Sequence, residues 1–262
     1  MKFLKSLVLL TALAASPFAS AQTLKLVSFS DNTHAFYHAL LSEALAAGNK
    51  PVEIEKRADV PQPRIGSMLE DGGLDVHWFV QSTERDQKYV GIDVPLTNGL
   101  IGQRVFLIRA ADQAKYAAVT SLADLKATNL VAGFGQGWFD VAVWKANGLP
   151  VHEQAGEWRA LYKMVAAGDR KVDYFSRGVT EIVPEAAANP ELVIEKNLLL
   201  VYERDFRFYL APKNKDYAKP LDSGLKLLLQ NGRHAALMKA HFGETLQTLG
   251  VEGRRKITLT TP

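Results

Sequence analysis

A short apolar run that empties into a polar turn ending on a guanidinium is the clearest chemical signal in this chain. It reads Leu74-Asp75-Val76-His77-Trp78-Phe79-Val80-Gln81-Ser82-Thr83-Glu84-Arg85. Open α/β sheets place ligands at the carboxyl ends of their strands. Arg85 is therefore expected to grip a carboxylate through two parallel hydrogen bonds, with Gln81, Ser82 and Thr83 as further donors and acceptors.

A second turn, Gly133-Phe-Gly-Gln136-Gly137-Trp138, follows an apolar stretch and precedes a helical one. Free backbone N–H groups at a helix start favour an anion, so Gln136 and Gly137 are candidates for holding a carboxylate. The spacing also approaches a dinucleotide fingerprint, but Trp138 stands where the third glycine belongs and its indole blocks close helix packing. A plain structural turn is the remaining reading. Trp78 and Trp138 each end a predicted strand; they either sandwich a ligand across a cleft or pack into ordinary cores. Ser176-Arg177-Gly178, after another predicted strand, lines the same cleft or is a polar turn. Arg64 points inward or belongs to a solvated loop. Asn32, in the helix-capping turn 30–33, completes the candidate contacts.

Other chemistry is poorly supported. His34 and His38 have a metal-compatible spacing, yet no acid or cysteine nearby completes a ligand set, and a solvated or capping role is the alternative. There is no cysteine and no Gly-x-Ser-x-Gly elbow. Among cleft acids, Glu84, Asp140 and Glu181 have no partner evident from sequence, so no general acid is identified and no catalytic residue, metal or cofactor is assigned.

The elements that must position these residues alternate. Strands are predicted over 24–29, 52–56 and 74–80, with helices over 34–47 and 64–70 between them, which implies a parallel, doubly wound unit. A buried strand, 104–109, leads out. A second alternation follows, with strands over 130–132, 172–175, 192–195 and 198–201 and helices over 133–147, 157–167 and 180–189. Ser121-Leu-Ala-Asp124 caps a shorter helix. The strand 206–210 leads back and two helices, 220–231 and 233–249, close the chain. The expected organisation is a two-lobed α/β protein: two doubly wound sheets joined by a two-strand hinge, residues 22–105 and 209–262 forming one lobe and 106–208 the other. A cleft between them is the natural ligand site.

The chain has 262 residues, 47% hydrophobic and 23% charged, an ordinary globular balance. Its first 21 residues differ: a basic start, an apolar run from Leu7 to Ala15 and the small-x-small Ala19-Ser20-Ala21 predict a secretory signal cut before Gln22. That run falls short of the about 20 residues of a membrane span. A retained membrane anchor is the alternative. Without Lys2 and Lys5, 29 of the 31 basic side chains remain against 28 acids, a net charge of +1. Such a charge gives no field for nucleic acid or an anionic membrane, and none is expected as a partner.

Order and spacing together resemble the bacterial family 3 extracellular solute-binding proteins, which share the type II periplasmic binding fold. The resemblance covers nearly all of residues 24–249. It rests on Leu74-Asp75-Val76 leading to Ser82-Thr83-Glu84-Arg85, on Ser121-Leu-Ala-Asp-Leu-Lys126 before Leu130-Val-Ala-Gly-Phe-Gly, on Val172-Asp173-Tyr174, and on Gly224-Leu225 to His241-Phe242-Gly243. It implies a monomeric periplasmic protein that captures a small solute, often an amino acid, for an ABC importer. Arg85 matches the family arginine on the ligand carboxylate, and Gln136 and Gly137 match the second-lobe turn. Two departures stand out. The stretch from Asp75 to Arg85 is slightly short. The acid that binds the ligand's amino group is replaced by Ser176-Arg177-Gly178, where a cation suits an organic anion instead. An enzyme on this scaffold, of the dehydratase or murein-lyase kind, and a sensory module for a membrane partner are the alternatives.

Overall fold

The computed structural model describes residues 22–28, 34–58, 60–168 and 172–262. The expected leader, its cleavage point and the turn 30–33 with Asn32 lie outside the described residues. The first lobe opens with β1 (Gln22–Ser28), α1 (Ala35–Ala47), β2 (Val52–Ala58), α2 (Gln62–Asp71), β3 (Val76–Val80), α3 (Thr83–Lys88) and β4 (Val90–Gly91). The second carries β5 (Gln103–Ile108), α4 (Gln113–Ala117), α5 (Leu122–Ala127), β6 (Ala132–Gly135), α6 (Phe139–Ala146), β7 (Val151–Gln154), α7 (Ala160–Ala167), β8 (Tyr174–Gly178), α8 (Ile182–Ala188), β9 (Val193–Ile194) and β10 (Leu198–Val201). The chain then returns through β11 (Phe206–Leu210), α9 (Ala218–Gln230) and α10 (Arg233–Leu249), and ends on β12 (Arg255–Thr258).

β1 and β2 run parallel, from Gln22 opposite Val52 to Ser28 opposite Ala58. Leu24 and Leu26 fall on one face because strand side chains alternate, and α1 covers that face with Phe36, Leu40, Leu41 and Leu45 at helical spacing. Each such side chain contributes roughly 1.5–3 kcal/mol by leaving water. The second lobe is built on one sheet, ordered β12-β10-β5-β8-β6-β7 with β9 also on β5, and it has a core on each face.

The sheets are mixed rather than purely parallel. β11 runs antiparallel to β3 and β4, and β5 antiparallel to β8 and β10. A chain that leaves one lobe and comes back must reverse direction, so its crossing strands pair antiparallel. The C-terminal boundary also differs from the expected assignment of 209–262 to the first lobe. β12 pairs with β10, and Ile257 and Leu259 lie in the second lobe's core. Asn147 fixes this tail by donating to the carbonyl of Thr260 and accepting from its amide. The lobes are therefore joined three times, the third time through the end of α10, where Leu249 packs in the second lobe.

The first two crossings are clamped together. The carboxylate of Asp205 accepts from the Thr97 hydroxyl at 2.7 Å, the Gly99 amide at 2.7 Å, the Phe206 amide at 2.7 Å and the Thr97 amide at 3.0 Å. Beside it, the Tyr202 amide donates to the Gly102 carbonyl at 3.1 Å. A side chain at position 102 would put its first carbon 2.0 Å from the Tyr202 carbonyl oxygen, so only glycine permits this approach.

Candidate functional site

At the floor of the second lobe, facing the first, five charged side chains form one network. Arg104, at the start of β5, meets Asp140 in the first turn of α6 at 2.8 Å. The Tyr202 hydroxyl donates to Asp140 at 3.0 Å and accepts from Arg104 at 3.0 Å. Arg177, at the end of β8, grips Glu185 of α8 with two parallel bonds of 2.7 and 2.5 Å. Glu181 lies between the two arginines, 3.3 Å from Arg177 and 3.8 Å from Arg104, and accepts from the Gly178 amide at 3.2 Å. Position 178 must be small for this, because a side chain there would start 2.9 Å from the Glu181 carboxylate.

Two guanidinium groups face three carboxylates, so the network carries one excess negative charge. Its partners are unequally shielded: the side chains of Arg104 and Asp140 are each 7% exposed, that of Glu181 34%. The excess is therefore available at Glu181. Burial works against ionising Glu181, but Arg177, Arg104 and the Gly178 amide outweigh it and hold its pKa below the usual carboxylate value. For both arginines, burial opposes the charge and the neighbouring carboxylates overcome it.

The first lobe answers with Tyr37 and His34. Tyr37 stacks on Trp78 with ring centres 4.4 Å apart and planes 14° apart. Burial, with the negative charges of Glu181 and Asp205, pushes its hydroxyl well above the ordinary tyrosine pKa. His34 packs edge-on against Trp78 at 4.6 Å and contributes to holding Glu181 ionised. Tyr37 and His34 thus lie within electrostatic range of the second lobe's excess carboxylate.

The sequence-predicted residues divide sharply. Arg85 sits in α3, whose N-cap Ser82 accepts from the Arg85 amide at 3.3 Å. Its guanidinium donates to the Val80 carbonyl and lies over the Phe79 ring at 4.9 Å. It is half-buried, burial lowers its pKa, and it forms no ion pair among the described residues. Gln81 is occupied locally by Asp86 at 2.6 Å, and Thr83 is exposed. Trp78 is buried in the first lobe's core, whereas Trp138 packs against Trp158 and Phe175 in the second. No direct ring contact joins Trp78 to Trp138 among the described residues.

Gln136 and Gly137 are exposed, but two amides of their turn are already used: Gln136 donates to the Gln154 carbonyl and Trp138 to that of Gly135. Ser176 is buried, and its hydroxyl has no partner among the described residues. Arg64 lies exposed on α2. The expectation for Arg177 needs the largest revision. Its guanidinium is boxed by Trp138 at 5.2 Å, Trp158 at 5.0 Å and Phe175 at 5.1 Å, and its charge is spent on Glu185 and Glu181. Burial and pairing leave no open cation at the end of β8, and an acid, Glu181, takes that place. Asp140 and Glu181, partnerless by sequence, are the paired anions of the network.

Sequence reasoning missed Arg104, Tyr202 and Tyr37. One signal was present for the rest: Arg177, Glu181 and Glu185 are spaced four apart where a strand passes into a helix. His34 and His38 both lie against the Val27 carbonyl, His38 at 2.8 Å, and no group of side chains suited to a metal is found among the described residues.

No protein-family model and no curated protein sequence matches the chain. Solved structures do. An amino acid ABC transporter substrate-binding protein from Streptococcus pneumoniae, bound to L-arginine, is 17% identical with a TM-score of 0.59, covering 84% of this chain and 93% of that one. A Salmonella typhimurium periplasmic binding protein of high arginine specificity is 14% identical with a TM-score of 0.57, over 85% of this chain and 100% of that one. An ancestral amino acid-binding protein, a precursor of cyclohexadienyl dehydratase, is 17% identical with a TM-score of 0.57, covering 84% of this chain and 95% of that one. The chain has the two-lobed fold of these amino acid ABC transporter substrate-binding proteins.

Proposed function

We propose that the protein is a periplasmic solute-binding protein that closes its two lobes on a small zwitterionic solute, of the amino acid class, and delivers it to an ABC importer. The observation that carries this reading is the pair of opposite poles. Glu181 offers an ionised, one-third-exposed carboxylate with excess negative charge, which suits an ammonium. Arg85 offers a half-buried guanidinium without an ion-pair partner among the described residues, which suits a carboxylate. The fold shared with proteins solved with L-arginine supports the same class. Closure would follow from a ligand that touches both lobes and so favours the closed state.

Transport rather than catalysis is supported by the state of the cleft acid. A general acid needs a raised pKa, and Glu181 is held low by two arginines. The neighbour ancestral to a dehydratase keeps turnover worth assaying.

A thermal-shift panel tests the reading with L-arginine, L-glutamine and succinate. At a hundredfold excess over Kd, a bound solute adds about 2.7 kcal/mol to stability. The expected result is stabilisation by at least one zwitterion and none by succinate. Stabilisation by succinate alone would overturn the zwitterion assignment.

A further inference from the structure

Beneath Arg85 lies a cluster of imidazoles that the reading above does not use. His77, on β3, is 4% exposed, and its Nδ1 is sealed from solvent with no hydrogen-bond partner among the described residues. Its ring lies 4.5 Å from that of Phe79, whose face carries the Arg85 guanidinium at 4.9 Å. On its other side the His34 ring is 6.5 Å away, and His38 lies 6.3 Å beyond His34. Burying a polar nitrogen without a partner costs free energy, and this one lies behind the Phe79 ring that carries the half-buried Arg85 guanidinium, within its electrostatic reach.

The groups around His77 are basic or already engaged. From α1 come His34 and His38, both held against the Val27 carbonyl. From α3 come Arg85 and two acids, of which Glu84 is taken by Lys88 at 2.8 Å and Asp86 by Gln81 at 2.6 Å. β11 places Tyr209 opposite His77 in register, its hydroxyl donating to Asp86 at 2.8 Å. From the second lobe Glu181 acts on His34. No carboxylate among the described residues pairs with His77 or Arg85.

We infer that His77, with His34 and the guanidinium of Arg85, forms a proton-gated anion subsite on the first lobe: a carboxylate of the solute seated against Arg85 is captured together with a proton taken up on the imidazole cluster. The inference rests on the proposed solute-binding role and adds to it a proton-linked specificity for the ionised carboxylate. Without an anion, burial, His34, Arg85 and His38 together hold His77 neutral. A carboxylate beside Arg85 cancels the repulsion and stabilises the imidazolium, so binding and protonation reinforce one another. Affinity then rises as pH falls between the free and the bound titration midpoints of His77.

The test uses the full mature chain with 15N-labelled histidine and formate as the minimal carboxylate. The His77 ring signals are titrated in sodium formate and in sodium chloride at equal ionic strength. The expected result is a midpoint higher in formate by about one pH unit or more, a difference lost in Arg85→Leu. Equal midpoints in the two salts would overturn the inference. A second arm measures L-arginine affinity below the lower and above the higher of the two His77 midpoints found in the first arm, with about tenfold tighter binding expected at the lower pH in the native chain and a flat response in His77→Asn. Binding of L-arginine with no pH dependence would overturn the proton link and leave the solute-binding role standing. A formate shift in a protein that no amino acid stabilises would sustain the anion subsite and remove the amino acid assignment.

Discussion

Two carboxylates that touch the same arginine are expected to respond in opposite ways to the same mutation, and this separates a binding acid from a structural one. Glu185 holds Arg177 with two short parallel bonds, and both side chains are largely shielded, at 18% and 9% exposure. Glu185→Gln leaves a buried guanidinium with only the more distant Glu181, and breaking a buried pair in this way costs about 3 kcal/mol of folding stability. Glu181 makes only looser contacts, at 3.3 and 3.8 Å, and is one-third exposed. Its pairing is partly screened by solvent, so Glu181→Gln is expected to cost under about 1 kcal/mol. After that change two guanidinium groups still face two carboxylates, and the network is neutral rather than broken. Affinity should show the reverse order. A charge-assisted hydrogen bond to a ligand ammonium is worth about 1.5–3 kcal/mol, so Glu181→Gln should weaken L-arginine or L-glutamine binding roughly ten- to 150-fold. Urea denaturation gives the stabilities and isothermal titration calorimetry the affinities. A Glu181→Gln protein several kcal/mol less stable with unchanged ligand affinity would show that Glu181 is a structural member of the network and not the ammonium pole.

Asp205→Ala removes the acceptor shared by Thr97, Gly99 and Phe206, and the loss should lower the unfolding free energy by about 2–3 kcal/mol in urea. A cost below about 0.5 kcal/mol would mean that water replaces the clamp. Acidification supplies the other prediction. His38 and His77 titrate below the unfolded-state value in the folded protein, chiefly because burial disfavours their charged forms. The unfolded chain therefore takes up protons first, and stability falls as pH drops below about 6.5, by up to about 1.4 kcal/mol per pH unit for each group until its folded midpoint is reached. Unfolding midpoints in urea at pH 7 and pH 5 check this, and equal values at the two pH values would refute it.

Most of the strands that build the two lobes were legible because their apolar runs are bounded by turn chemistry, whereas the short β4 and the polar β7 were not. β5 and β10 are buried along nearly their whole length. β12 was not legible: of Arg255, Lys256, Ile257 and Thr258 only Ile257 is buried, so no periodic signal marks it. Its membership of the second sheet comes from pairing with β10, a contact about 57 positions away that no local pattern encodes. The site shows the same division. The turn from Gln81 to Arg85 followed from a strand end, whereas the cap that Ser82 makes on the Arg85 amide was not read from the sequence. The partners of Arg104 lie 36 and 98 positions away, and sequence spacing carries no trace of them.

Arg177 shows why a residue's type does not settle its role. Read alone after a strand, a guanidinium at that place argues for an anionic ligand. Within the fold its charge is consumed twice over, by Glu185 directly and by Glu181 more loosely, while three aromatic rings close around it. What the end of β8 offers to solvent is then the sum of the network and not its most conspicuous member, and that sum is negative. The first lobe, through the half-buried Arg85 guanidinium, has the opposite sign available. A ligand that brings a positive end to one lobe and a negative end to the other relieves both imbalances, whereas a dianion relieves one and aggravates the other, because like charge beside Glu181 is repelled at short range. The proposed preference for a zwitterion over a dicarboxylate therefore rests on where the charges are left unpaired, not on which charged residues line the cleft.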